Sequence, residues 1–317
     1  MSTIHVPVVP EPPLERFRHE ALFYEGEEGF LEVTLPFIRD AIAQGEPILV
    51  VVSARRIELL REALGDDAEA VSFADMAEVG ANPARIIPAW HDFVEEHAAP
   101  GRRLRGIGEP VYAERSAAEL VECQRHEELL NVAFEGADCF WLVCPYDTSS
   151  LRPDILRKAS LSHPFGQGQQ NPDYRGLGSV AAPFADPLPE PGTDVHEVMF
   201  TRDDLSLLRG FVAEHAAAAG LEHSRSYDLV LAVNVAATNS VRHAGGRGLL
   251  RVWREDPSVI CEVRDTGLIS APLAGRVRPD RTQVGGHGLW LVNQLCDLAQ
   301  VRSGDQGSIV RLHMHAR

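Results

Sequence analysis

The chain has 317 residues, 44% hydrophobic and 24% charged, enough for two separately cored globular domains. No stretch is apolar and long enough to span a bilayer, and the opening MSTIHVPVVPEPPLERF lacks the basic and apolar regions of a signal peptide, so a cytoplasmic protein without membrane contact is expected. The net charge of −16 is uneven: residues 196–317 hold 14 Arg against 13 acidic side chains, the first 195 hold 16 basic against 33 acidic ones, and so acidic an N-terminal part argues against direct nucleic-acid binding.

In chain order, residues 1–18 are Pro-rich and read as a flexible arm. Residues 19–165 alternate β and α patterns. ILVVVS (48–53) has the continuous apolar run of a buried parallel strand, and a helical ARRIELLREAL follows it. AVSF and RRLRGIG suit short strands, with a helix ARIIPAWHDFVEEH between them. A long helix, SAAELVECQRHEELLNVAF, is opened by Ser116 with Glu119 completing a capping box. FWLVCPYD (140–147) is a further buried strand, and RPDILRKASLSHP closes the segment. This alternation predicts a largely parallel sheet covered by helices. Residues 166–195 are rich in Gly, Pro and polar residues and form a linker. Residues 196–317 follow the order α-α-β-β-loop-α-β, which predicts an α/β sandwich with antiparallel strands. The five cysteines (Cys123, Cys139, Cys144, Cys261, Cys296) are an odd number without CxxC spacing, which argues against a disulfide framework and a structural zinc site.

Three segments of the C-terminal part carry candidate chemistry. In LAVNVAATNSVRHAGG (231–246), helical spacing puts Val235, Asn239 and His243 on one face. The Asn amide oxygen there can ligate Mg²⁺ and the His can donate to a phosphate. EVRDTG (262–267) brings a carboxylate, Asp265, to a strand end, where it can accept the exocyclic amine of adenine, and Gly267 permits close approach of the base. In VGGHGLWLV (284–292), glycines ahead of a helix free backbone N–H groups to cradle phosphates. Each segment alone has an ordinary structural reading: a helix-surface Asn, an Asx turn, a loop-to-helix turn.

Taken together, in this order and spacing, the three resemble the N, G1 and G2 boxes of GHKL (Bergerat) ATPases, in particular the RsbW/SpoIIAB anti-sigma serine kinases, over about 120 residues. The resemblance implies ATP and Mg²⁺ as cofactors. It places Asn239 on the metal, Asp265 on adenine, Gly286 and Gly288 at the phosphates, and Arg242, His243, Gly267, Gly285, His287, Leu289 and Ser308 around the nucleotide, with residues 268–285 as the ATP lid. Two positions depart from that pattern. Ile269 stands where the second glycine of DxGxG is expected. Val235 stands four residues before Asn239, where those kinases carry a Glu that acts as general base. Valine cannot take a proton, and loss of such a base costs about 10²–10⁴ in rate. Asp228 is two turns upstream, ~10 Å along the axis, too far to substitute. Nucleotide binding is therefore expected to survive while phosphoryl transfer is weak or lost, unless another chain or the substrate supplies the base.

HEALFYEG (19–26), GEPVYAERS (108–116), RHEELLNVAF (125–134), CPYD (144–147) and SHPFG (162–166) jointly resemble the MEDS sensory domain, which implies a RecA/KaiC-like fold for residues 19–165. No GxxxxGK[ST] follows the strand ILVVVS, so this half is not expected to hydrolyse nucleotide. A ligand would sit at the carboxyl ends of the strands. Glu109, Cys144, Tyr146 and Asp147, with His126 on the long helix that also carries Glu127, are the candidates, although a structural role is the plainer reading of each. His126, Cys144 and His163 form a metal set only in principle. MEDS joined to GHKL resembles the RsbA-type regulators, which implies a sigma factor or a STAS-domain antagonist as partner and allows a homodimer. The alternatives are a sensor histidine kinase, with RHEEL around His126 as the phosphoacceptor, and an ATP-independent scaffold.

Overall fold

The computed structural model describes residues 16–176, 187–192, 194–280 and 285–316. Most of the expected arm, residues 177–186 and 193 of the linker, and residues 281–284 of the expected lid lie outside that description.

The N-terminal sheet has the order β3-β2-β4-β5-β1-β6-β7. Its strands are β1 (Arg18–Tyr24), β2 (Ile48–Val52), β3 (Ser72–Asp75), β4 (Leu104–Gly108), β5 (Phe140–Asp147), β6 (Phe165–Gly166) and β7 (Gln169–Gln170), parallel except for the last pair. Successive side chains of a strand leave opposite faces. Val50 and Val52 accordingly pack with α1 (Gly26–Gln44) and α2 (Ala54–Leu64), while Val51 faces α4 (Ile86–His97), α5 (Ala117–Ala133) and α6 (Pro153–Ser162). Burial on both faces is why the run is uniformly apolar, and each such side chain contributes roughly 1.5–3 kcal/mol. A short α3 (Met76–Val79) follows β3. The capping box expected at α5 is present: the Ser116 hydroxyl accepts from the Glu119 N–H and the Glu119 carboxylate accepts from the Ser116 N–H.

The C-terminal sheet is antiparallel, in the order β11-β12-β10-β9-β8. Its strands are β8 (His196–Thr201), β9 (Arg247–Glu255), β10 (Ser258–Asp265), β11 (Leu298–Gly304) and β12 (Gly307–His315). Leu250, Val252, Cys261, Val263 and Leu312 line the face under α7 (Leu205–Ala218), α8 (His223–His243) and α9 (His287–Leu295). This helix-covered antiparallel sheet agrees with the GHKL sandwich expected. Two strands are additional to the expected order. Edge strand β8 is largely exposed and lacks an apolar alternation. In β11, the apolar pattern of LAQV continues that of α9 and hides the break at Cys296, whose backbone is already extended.

The two domains are docked. Arg85, on a 3-10 turn before α4, reaches the last turn of α9 and donates to the carbonyls of Asn293 (2.8 Å), Gln294 (2.8 Å) and Cys296 (3.0 Å). Carbonyls at a helix C-terminus have no partner within the helix, so one guanidinium from the other domain satisfies three of them. Asn82 adds a bond to the Asn293 carbonyl at 3.1 Å. No helix among the described residues is long and apolar enough to cross a membrane.

Candidate nucleotide site

Helix α8 carries Val235, Asn239 and His243 toward α9. Gly286, the residue before α9, has φ +80°, a left-handed conformation that side-chain-bearing residues rarely adopt, so glycine is what lets the chain turn into the helix here. Gly288 is required for a different reason. A Cβ at this position would come within 2.8 Å of Asn239 Nδ2 and 3.3 Å of Val235 Cγ1, so the two helices touch only because no side chain intervenes.

Asp265 ends β10. One of its carboxylate oxygens accepts from the Ser240 hydroxyl (2.5 Å), the other from the Gly267 N–H (2.8 Å), which fixes the carboxylate plane. Ser308 Oγ donates to the Gly267 carbonyl (2.8 Å) and lies 2.8 Å from Ser303 Oγ. Ser303 Oγ in turn accepts the Ile269 N–H at 2.8 Å, so the departure at position 269 is held by a strand hydroxyl.

These groups surround a cavity of about 610 Å³. Asn239, His243, Asp265, Gly267, Gly286, Gly288, Leu289 and Ser308 line it, with residues 268–279 as the opposite wall. A neighbouring cavity of about 470 Å³ is lined by Val235, Asn239, Arg242, His243, Gly285, Gly286, His287 and Gly288. All eleven residues expected around the nucleotide thus border one or both spaces. Among the described lining residues of both, Asp265 is the one carboxylate.

The described part of the 268–285 segment is fixed from the N-terminal domain. Arg276, 5% exposed, donates to Glu122 of α5 at 3.2 Å, and Arg302 of β11 meets the other oxygen of Glu122 at 2.9 Å. Leu273 packs on the N-terminal core, and Arg278 pairs with Asp92 at 2.8 Å. The Gly275 carbonyl accepts from Asn293 Nδ2 at 2.8 Å, so the segment is tied to α9 as well. Nothing in the sequence pattern marks this clamp, because its partners lie about 150 residues apart.

The five candidates for a sensory ligand do not share one place. Glu109 and Asp147 come together at the carboxyl ends of β4 and β5, lining a cleft of about 510 Å³ with Tyr24, Arg56, Tyr112 and Glu114. The Tyr24 hydroxyl donates to Glu109, and burial pushes the Glu109 carboxyl up to about 7 against the lowering effect of Tyr24 and Arg56. Cys144 and Tyr146, by contrast, point from β5 into the core under α5 and α6, a consequence of strand alternation. His126 is buried in α5 at 1% exposed, with its imidazole held down to about 3 by burial. A side chain so enclosed cannot reach a phosphoryl donor, which removes the residue on which a histidine-kinase reading depends.

An antiparallel sheet under three helices, with an amide, a carboxylate and a glycine-led helix facing one cavity, defines the class as a GHKL-type nucleotide-binding domain, here joined to a parallel α/β domain. Residues 199–314 match the family model of the histidine kinase-like ATPase domain, and residues 18–164 match that of MEDS, the methanogen/methylotroph DcmR sensory domain. The chain therefore carries an N-terminal MEDS domain and a C-terminal histidine kinase-like ATPase domain. No curated protein matches the sequence. Among solved structures, the RsbU and RsbW domains of Rv1364c from Mycobacterium tuberculosis are similar at 19% identity over 39% of this chain and 32% of that one, with a TM-score of 0.30, too loose a likeness to bear on fold or function.

Proposed function

We propose that the C-terminal domain binds Mg-ATP and that the chain is an anti-sigma-type regulator that holds the nucleotide with little or no phosphoryl transfer. The observation that carries this reading is that Asn239 and Asp265 line one cavity headed by Gly286 and Gly288, with Asp265 the one carboxylate among its described lining residues and none beside Asn239 at position 235. In this reading Asn239 ligates Mg²⁺, and Asp265, oriented by Ser240 and the Gly267 N–H, accepts the adenine amine. The Gly285–Gly288 backbone faces the phosphates, with Arg242, His243 and His287 beside them. Val235 leaves the attacking hydroxyl without a base. The chain then acts by binding a sigma factor or a STAS-domain antagonist, as the RsbA-type resemblance implies, and the MEDS domain bears on the nucleotide through Glu122 and Arg276, which link α5 to the lid. Thermal melting with Mg-ATP tests it. Saturating nucleotide at a hundred times its Kd adds about 2.7 kcal/mol of stability, so the melting temperature rises in the wild type and rises by about half as much or less in Asp265→Asn. An unchanged melting temperature in the wild type overturns the reading.

A further inference from the structure

Four metal-ligating side chains from four separate parts of the N-terminal domain meet in its core: His19 of β1, Glu127 of α5, Cys144 of β5 and His163 after α6. One donor atom from each lies within 4.8 Å of the other three. His19 Nε2 is 3.1 Å from Glu127 Oε2 and 3.4 Å from Cys144 Sγ, and His163 Nε2 is 3.2 Å from the same carboxylate oxygen. None of the four is more than 1% exposed.

The hydrogen bonds around the cluster fix where its protons are. Asn131 Nδ2 donates to the carbonyls of Glu127 (3.4 Å) and Ser162 (2.8 Å), so its Oδ1 is an acceptor. That oxygen lies 3.1 Å from His19 Nδ1, which must therefore carry the proton. His163 Nδ1 likewise donates, to the Ala159 carbonyl at 2.8 Å. Two imidazoles anchored through Nδ1–H present bare Nε2 lone pairs, the arrangement that orients metal-binding histidines. Both lone pairs aim at a carboxylate oxygen that can only accept. Among the described residues, His163 Nε2 and Glu127 Oε1 find no hydrogen-bond partner, and both are sealed from water. The Cys144 thiol is a donor directed at them, but a weak one 3.4 Å from His19 Nε2, and a cation satisfies all the converging lone pairs together. Protonating both rings, whose centroids are 4.0 Å apart, would put two imidazoliums against one carboxylate in a dry core and leave it net positive. One divalent ion with Glu127 and the Cys144 thiolate is neutral.

We propose that His19, Glu127, Cys144 and His163 bind one divalent transition-metal ion. Bond lengths of about 2.0–2.3 Å to N, O and S ligands place the donors of a tetrahedral site roughly 3.3–3.8 Å apart, close to the three short separations here of 3.1, 3.2 and 3.4 Å, with every pair within 4.8 Å. Mixed imidazole, thiolate and carboxylate ligation suits zinc, and a buried four-ligand set leaves no open position for catalysis. On binding, the Cys144 S–H bond breaks, the thiolate takes the metal, and its proton leaves to solvent. Absence of a CxxC pair hid the site from sequence reading, which considered His126; the structure brings in its neighbour Glu127 and adds His19 instead.

Elemental analysis of the full chain from zinc-supplemented cells tests the site, together with absorption spectra of chain refolded with cobalt(II). The expected result is one zinc per chain and, with cobalt, a thiolate-to-metal charge-transfer band that disappears in Cys144→Ser and persists in Cys139→Ser. Zinc content should fall at least ten-fold in His163→Gln. Should Cys144→Ser not fold, chelator-stripped wild type is melted instead, and its melting temperature must drop and return on adding zinc. A metal-free wild type that also gives no cobalt band overturns the proposal. So does a band unchanged in folded Cys144→Ser, or a melting temperature indifferent to stripping.

Discussion

At the scale of single residues, the proposed function divides binding from chemistry between Asp265 and Val235. The Asp265 carboxylate is already oriented by Ser240 and the Gly267 N–H, so its remaining lone pairs point in a fixed direction. A hydrogen bond to a charged group contributes about 1.5–3 kcal/mol, and Asp265→Asn is expected to weaken Mg-ATP binding at least ten-fold by calorimetry, while Asp228→Asn leaves it unchanged. Val235→Glu sets a carboxylate one turn before Asn239 and is expected to raise ADP release by about 10²-fold or more; no gain would contradict the role assigned to this position. Glu109 makes a prediction about pH. Its folded carboxyl sits at about 7, above the ordinary 4.5, because burial disfavours the charge. The folded state therefore holds a proton that the unfolded chain has lost between those values, and this contribution to stability is full below pH 4.5 and is lost as pH rises toward 7. Glu109→Gln should flatten that decline, worth up to about 3 kcal/mol, in denaturant melts across the window; parallel wild-type and variant curves would contradict it.

At the scale of elements, α5 is a helix of the N-terminal domain that also holds the C-terminal one. Glu122 on this helix holds both Arg276 and Arg302, and Glu127, five residues on, faces the His19–His163 cluster in the N-terminal core. Removing one partner of a buried ion pair costs about 3–5 kcal/mol, because the other charge stays buried without compensation. Glu122→Ala should therefore release the 268–280 segment, and trypsin should cut after Arg276 faster than in wild type, while the Arg278–Pro279 bond resists the protease in both; an equal rate at Arg276 would contradict the clamp. The local signals of the elements were readable: the capping box of α5, the apolar run of β2, the glycines ahead of α9. Strands β8 and β11 were not. One is an exposed edge without alternation, and the other continues the apolar pattern of the helix before it.

At the scale of the whole molecule, residues close together in sequence were the legible ones. Asn239 and His243, Asp265 and Gly267, and residues 285–288 form three short segments whose order carries the resemblance to GHKL domains, and all of them border the same pair of cavities. What depends on tertiary proximity was hidden. Glu122 meets Arg276 across 154 positions, Arg85 closes the end of α9 across 208 to 211, and His19 joins Glu127 across 108. No periodicity encodes such meetings. The docked arrangement ties residues 273–278 to the MEDS core while the same segment lines the cavity, which in the proposed reading gives the two domains a physical route to each other. The central claim is that this cavity holds ATP and does not spend it. Titration of the full chain with Mg-ATP in a calorimeter, followed by chromatography of the bound nucleotide, addresses it directly. The expected result is saturable binding of one nucleotide per chain, recovered as intact ATP. Absence of binding heat, or recovery as ADP, would contradict it.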